Sequence, residues 1–180
     1  GIVRGNPEYF SGGRGMKTKK HSIKNFLELL AAILLLVGLD QYTKFLAVKH
    51  LKDQAEIALI PNVLYFQYLE NRGAAFGIFQ GQKWLLLGLT GLVILGVLYV
   101  LWKLPAEKKF LLLKILCFFI VSGGLGNMID RMRLNYVVDF IYFSPIDFPI
   151  FNVADIYVTV SMILLFVLVM FYYKEEDFEF

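Results

Sequence analysis

The chain has 180 residues, of which 58% are hydrophobic and only 18% charged, and its net charge is +3. Soluble domains average about 45–50% apolar and about 25% charged residues, so an ordinary cytosolic enzyme is disfavoured. Disorder, which needs low hydrophobicity, is excluded. The lysines gather at one end and beside apolar runs rather than on one interleaved face, which argues against nucleic-acid binding. The single cysteine, Cys117, rules out an intrachain disulfide.

Residues 1–15 are glycine-rich, lack apolar periodicity and precede Met16. They read as an expression-tag remnant, leaving residues 16–180 as a single four-helix membrane domain. Lys17, Lys19, Lys20 and Lys24 introduce the first apolar run, about residues 26–48. It lacks a small-residue cleavage site and leads straight to Asp40 and Lys44, so it is expected to be a retained span rather than a removed signal. The loop from His50 to Lys83 is too long for a bare connector. Between Glu56 and Phe76 it is rich in Ile, Val, Tyr and Phe, with Pro61-Asn62 as a turn, which predicts a small extracytoplasmic antiparallel sheet.

Three more runs reach the roughly 20 apolar residues a bilayer crossing needs. They cover residues 84–102, with no charge, 110–129, with only Lys114, and 154–173. The fold class is therefore an α-helical polytopic membrane protein with four transmembrane helices, a small outer sheet and a loop on the same side. Trp84, Trp102, Tyr172 and Tyr173 flank the spans as interfacial aromatics. Lys17 to Lys24 before the first span and Lys103, Lys108 and Lys109 after the second mark one side as cytoplasmic. Both termini then lie in the cytoplasm, and the loops at 50–83 and 130–153 lie outside.

Polar groups are costly in a bilayer, so their placement is informative. Asp40 and Lys44, then Asn127, Asp130 and Arg131, then Asn152 and Asp155, all fall at the outer ends of three spans, and Asp139 lies between the third and fourth. The membrane middle holds almost nothing ionisable. A channel would carry polar groups along its path, and no internal repeat supports an inverted-repeat transporter. A small transporter or channel is the alternative reading. A protease cutting mid-bilayer would bury its aspartates deeper, and a purely structural subunit would have no use for such a cluster.

Each constellation also has a plainer reading. Asp40 and Lys44, four apart on a helix, pair on one face, which favours a structural ion pair over a chemical role. Arg131 shares a face with Asn127 and serves equally as a headgroup anchor. Asn152 with Asp155 three residues on is a capping-box pattern. Gly123-Gly124-Leu125-Gly126 reads as close helix packing. Cys117 reads as a buried apolar residue. His21 and His50 have no evident partners, and no metal-ligand spacing occurs. No serine nucleophile elbow or cysteine–histidine pair is present. Carboxylates remain: Asp139 and Asp155, from segments folded against one another, suit a pair sharing one proton.

The blocks Asp40–Lys44 (DQYTK), Asn71–Gly77 (NRGAAFG), Gly123–Arg131 (GGLGNMIDR), Val137–Phe140 (VVDF) and Phe151–Asp155 (FNVAD) occur in this order. Together they resemble the lipoprotein signal peptidases (signal peptidase II), aspartic proteases of the bacterial inner membrane. The resemblance covers about residues 16–173 and implies that Asp139 and Asp155 are catalytic. It implies that Asn71, Gly73, Asn127, Arg131 and Asn152 line the site, and that Asp40 and Lys44 brace it. It further implies a diacylglyceryl prolipoprotein as substrate, cut before the lipidated cysteine at the outer face of the membrane. A globomycin-type inhibitor, contact with membrane lipid, a monomer, and no metal, other cofactor or nucleic acid complete the expectation. The segment from Tyr142 to Phe151 and the outer sheet are expected to cradle or cover the substrate.

Overall fold

A computed structural model describes residues 23–74 and 77–178, with side chains from residue 27 onward. The tag reading of residues 1–15 and the basic residues Lys17, Lys19 and Lys20 lie outside the described residues. Four helices follow from the four apolar runs: α1 (Ile23–Leu51), α2 (Lys83–Lys103), α3 (Leu111–Leu134) and α4 (Val153–Phe171). All four are long and apolar enough to cross a membrane. Large apolar side chains point outward along them, among them Leu35, Leu92, Phe166 and Phe171. An outward apolar face suits hydrocarbon and would be unfavourable in water.

α3 is the central helix. It packs against α1, α2 and α4, whereas α2 is barely in contact with α4. The glycine run makes this approach possible. A Cβ at Gly123 would lie 2.5 Å from the backbone oxygen of Ala154, and one at Gly124 would lie 3.1 Å from Ile94 Cδ1. Ile33, Ile94 and Val121 form the apolar cluster that joins α1, α2 and α3.

α3 runs five residues past the expected end at 129, to Leu134, and stops where Asn135 takes the left-handed conformation (φ 66°). Asp130 and Arg131 are therefore helical residues rather than loop residues. At the opposite end of the bundle, Tyr173 is buried against Phe110, their rings stacked 5.5 Å apart, so it is a packing residue and not an interfacial one. Trp84, Trp102 and Tyr172 are exposed, as an interfacial belt requires.

The sheet has three antiparallel strands in the order β1 (Ile57–Ile60), β2 (Leu64–Asn71), β3 (Val137–Phe143). The sequence pointed to the β1–β2 hairpin; the third strand comes from the connection between α3 and α4. Between the pairs Phe66↔Ile141 and Leu69↔Asp139, β2 advances one residue more than β3. Such a bulge bends the strand and re-aims its side chains. Alternation along β3 sends Val138 and Phe140 into a core with Ala47 and Leu51 of α1. Val137 and Asp139, on the other face, line a cavity.

Candidate active site

The cavity is about 830 Å³ and borders the sheet, with Leu69, Asn71, Val137 and Asp139 in its lining. Asn71, Asn127, Arg131, Asp139 and Asp155 line it, together with apolar residues from α2, α3 and α4. Four separate segments supply these five polar residues: the end of β2, the last turns of α3, the middle of β3 and the first turn of α4.

Beneath the cavity sits a buried ionic knot. Lys44 Nζ lies 2.9 Å from Asp40 Oδ2 and 3.1 Å from Asp130 Oδ2, and donates to Asn127 Oδ1 at 2.9 Å. An ammonium has three protons, and all three are used. Asp40 also accepts from the backbone N–H of Ala154 (2.9 Å), and Asp130 from that of Val138 (3.1 Å). Gln41 Nε2 reaches Asp130 Oδ1 at 2.9 Å, Asp40 Oδ2 at 3.3 Å and the carbonyl oxygen of Gly126 at 3.2 Å. The knot thus ties α1 to α3, to the first turn of α4 and to β3. A buried charge is tolerable only when paired and hydrogen-bonded in this way. The ion pair read from the spacing of Asp40 and Lys44 is present; the structure adds Asp130 as its third member and Gln41 as a donor to both carboxylates. The signal available for Gln41 was its position beside Asp40 in the first block.

The knot orients what stands above it. Because Asn127 Oδ1 accepts from Lys44, its Nδ2 must face the other way, where it donates to Asp155 Oδ1 at 2.8 Å. The Asn152–Asp155 capping box is formed: Asp155 N donates to Asn152 Oδ1 (3.0 Å) and Asn152 N to Asp155 Oδ2 (3.1 Å). With its oxygen committed, Asn152 presents Nδ2 to Asp139 Oδ1 at 2.7 Å. Asn71 repeats the device. Its Oδ1 accepts from Gly73 N (2.9 Å), and its Nδ2 donates to Asp139 Oδ2 (2.9 Å). All four carboxyl oxygens of Asp139 and Asp155 therefore accept an N–H, and Asn152 touches both carboxyls. The capping role and the site role of Asn152 and Asp155 are the same set of hydrogen bonds.

Asp139 is almost fully buried. Burial pushes its carboxyl up to about 7, and the charge of Asp155 adds to the rise. The amide donors of Asn71 and Asn152 and the ammonium of Lys44 oppose the shift without cancelling it. A carboxyl near neutrality beside a second carboxyl is suited to exchanging protons with a bound molecule.

Arg131 Nη2 donates to the Gly73 carbonyl at 3.0 Å, which pins the loop after β2 to α3. Gly73 has no room for a side chain, since a Cβ there would meet the Ile78 carbonyl oxygen at 2.7 Å. Phe148, Pro149, Ile150 and Phe151 form a wall of the cavity, and Phe151 is bridged to Ile141 at the edge of the sheet. The segment expected to cradle a ligand therefore borders the site. Among the described residues, no group of three or more His, Cys, Asp or Glu side chains is placed to hold a metal ion. Cys117 is buried, as expected.

The model of the signal peptidase (SPase) II family matches residues 32–171. The chain is similar to the lipoprotein signal peptidase of Streptococcus thermophilus, 46% identical over 146 residues, or 81% of this chain and 92% of that protein. It is similar to that of Streptococcus pyogenes serotype M1, 44% identical over 147 residues, or 82% and 93%. A solved bacterial membrane enzyme superposes with a TM-score of 0.68 at 28% identity, covering 79% of this chain and 87% of that one.

Proposed function

The chain belongs to the signal peptidase II family, and from that premise we propose that it is an aspartic endopeptidase acting through Asp139 and Asp155. One observation carries the reading: two carboxyls from different elements are bound by one asparagine and border a single cavity, one of them raised to about 7. The substrate is a prolipoprotein, the class for which the streptococcal relatives are named. Its cysteine carries a diacylglyceryl group, and the bond cut is the one before that cysteine.

The chemistry follows from the two environments. Asp155, at the start of α4, serves as the base; Asp139, which burial pushes up to about 7, holds the proton. Asp155 takes a proton from a water molecule whose oxygen attacks the scissile carbonyl carbon. Asp139 donates its proton to the carbonyl oxygen, giving a neutral tetrahedral diol. Collapse of the diol returns a proton to Asp139, while Asp155 passes its own to the leaving nitrogen. The carbon–nitrogen bond then breaks. The signal peptide leaves with a new carboxyl terminus, and the lipidated cysteine with a free amine. The titration belongs to the pair.

The basic residues Lys103, Lys108 and Lys109 assign their end of the bundle to the cytoplasm, so the carboxylates work at the outer face. A diacylglyceryl anchor holds the scissile bond at that depth. Globomycin-type cyclic peptides bind the same cavity, and the enzyme acts as a monomer. The test is to incubate the purified protein with a diacylglyceryl prolipoprotein, with and without globomycin, and to follow the mass lost as signal peptide. Turnover should be blocked by the inhibitor and abolished by Asp139→Asn or Asp155→Asn in protein that still folds. Near-normal cleavage by either variant rules out the dyad.

A further inference from the structure

We propose that the segment from Tyr172 to Phe178 closes the far end of the substrate groove and so limits the length of apolar helix the enzyme accepts. The inference deepens the peptidase reading and rests on it. A second apolar groove, of about 420 Å³, lies between α2, α3 and α4. Val93 and Ile120 line both this groove and the carboxylate cavity, so the two adjoin end to end and together form the trough of the proposal. α3 is its floor, and the scant contact between α2 and α4 leaves it open along its side. Its occupant is the apolar stretch of the substrate's signal peptide, which is joined directly to the bond being cut.

Phe178 lines the far end, beside Val169. Its ring lies 5.5 Å from that of Tyr173 and 6.3 Å from that of Phe110. Tyr173 in turn donates its hydroxyl to the Lys109 carbonyl at 2.9 Å. Lys109 Nζ also pairs with Asp177 at 2.5 Å, but Lys109 is 37% exposed. Exposed pairs contribute little, so the aromatic contacts are what hold the stop in place.

The dimensions suit a length limit. The stretch of α4 from Asp155 to Val169 rises about 21 Å at about 1.5 Å per residue, room for about 14 helical residues. Signal-peptide apolar regions have about 7–15 residues, whereas resident membrane helices need about 20. The longer helix would drive its first, N-terminal turns into Phe178. The stop therefore separates signal peptides from permanent membrane spans.

The test uses the full-length enzyme in lipid nanodiscs. Its substrates are diacylglyceryl prolipoproteins with apolar stretches of about 8, about 14 and about 20 residues. The unmodified enzyme should disfavour the longest. Phe178→Ala should raise the ratio of kcat/KM for the longest over the middle substrate by about tenfold. Phe178→Leu, which shortens the plug but keeps apolar burial, should move the ratio the same way if the alanine variant does not fold. A Cβ at Gly96 meets nothing within 4 Å, and Gly96 lines the groove. Gly96→Phe should therefore shorten the trough and lower the ratio of the middle over the shortest substrate. Equal cleavage of the two longer substrates by the unmodified enzyme, or ratios that folded Phe178 variants leave unchanged, overturns the length stop alone. No cleavage of any of the three by the unmodified enzyme overturns the peptidase reading itself, and the inference with it.

Discussion

Replacing Asp139 by Asn removes a buried acid without changing its shape, and the structure says how stability should respond. The folded protein holds the Asp139 proton up to about pH 7, whereas the unfolded chain releases it near its ordinary value of 3.8. Between those values the folded state binds more protons than the unfolded one, so the parent loses stability as pH rises through the window. At about 1.4 kcal/mol per unit, flattening as the pH nears 7, the loss between pH 5 and pH 7 is about 2 kcal/mol. The asparagine cannot ionise and escapes this loss. It incurs a different, pH-independent penalty, because Asn71 and Asn152 both point N–H groups at the side chain and one of them must now face another donor. An unsatisfied buried donor costs about 1–3 kcal/mol. The variant should thus be near or below the parent at pH 5 and above it at pH 8, with the difference growing by about 2–3 kcal/mol. Thermal melts of both proteins in detergent micelles across this range read the effect as a widening gap in Tm. A gap that stays constant with pH would refute the claim that Asp139 is held neutral by burial.

The same titration bears on rate: if Asp139 must donate its proton, kcat/KM should fall about tenfold per pH unit above about pH 7, and a profile flat to pH 9 would exclude that role. Lys44→Met leaves Asp40 and Asp130 buried together without their shared cation; a loss of about 3–5 kcal/mol is expected, measured as a large drop in Tm that Asp139→Asn does not show. Gly126→Ala aims a methyl group at Asp40 Oδ2, so it should destabilise by about 1–3 kcal/mol. Gly124→Ala meets only the mobile end of Ile94 at 3.1 Å and the methyl of Thr90, so its effect on Tm should be smaller, and equal effects would argue against the α1–α3 contact as the constraint at Gly126.

Most of the membrane architecture was legible in the linear chain, because a bilayer demands about 20 apolar residues per crossing and penalises every ionisable group within it. The four runs and the polar residues at their ends could be read one segment at a time. So could the Asp40–Lys44 pair and the Asn152–Asp155 cap, since each needs only the i,i+4 or i,i+3 spacing of a single helix. The third strand was not legible. β3 pairs with a strand more than sixty residues earlier, and such a pairing leaves no local period to recognise. Nor was the end of α3, where Arg131-Met132-Arg133 looks like a loop but continues as helix to the left-handed Asn135. The roles of Asp130 and Gln41 were hidden for the same reason: their partners come from other helices and from the backbone of β3. Sequence alone determined which polar groups stand at the ends of the apolar spans. Only the tertiary structure decided which way each amide points, because Asn127 is turned by Lys44 and Asn71 by Gly73 N, while Asn152 points its Nδ2 from α4 to β3. A hydrogen bond is set by the position of both partners, and in this site most partners lie far apart along the chain.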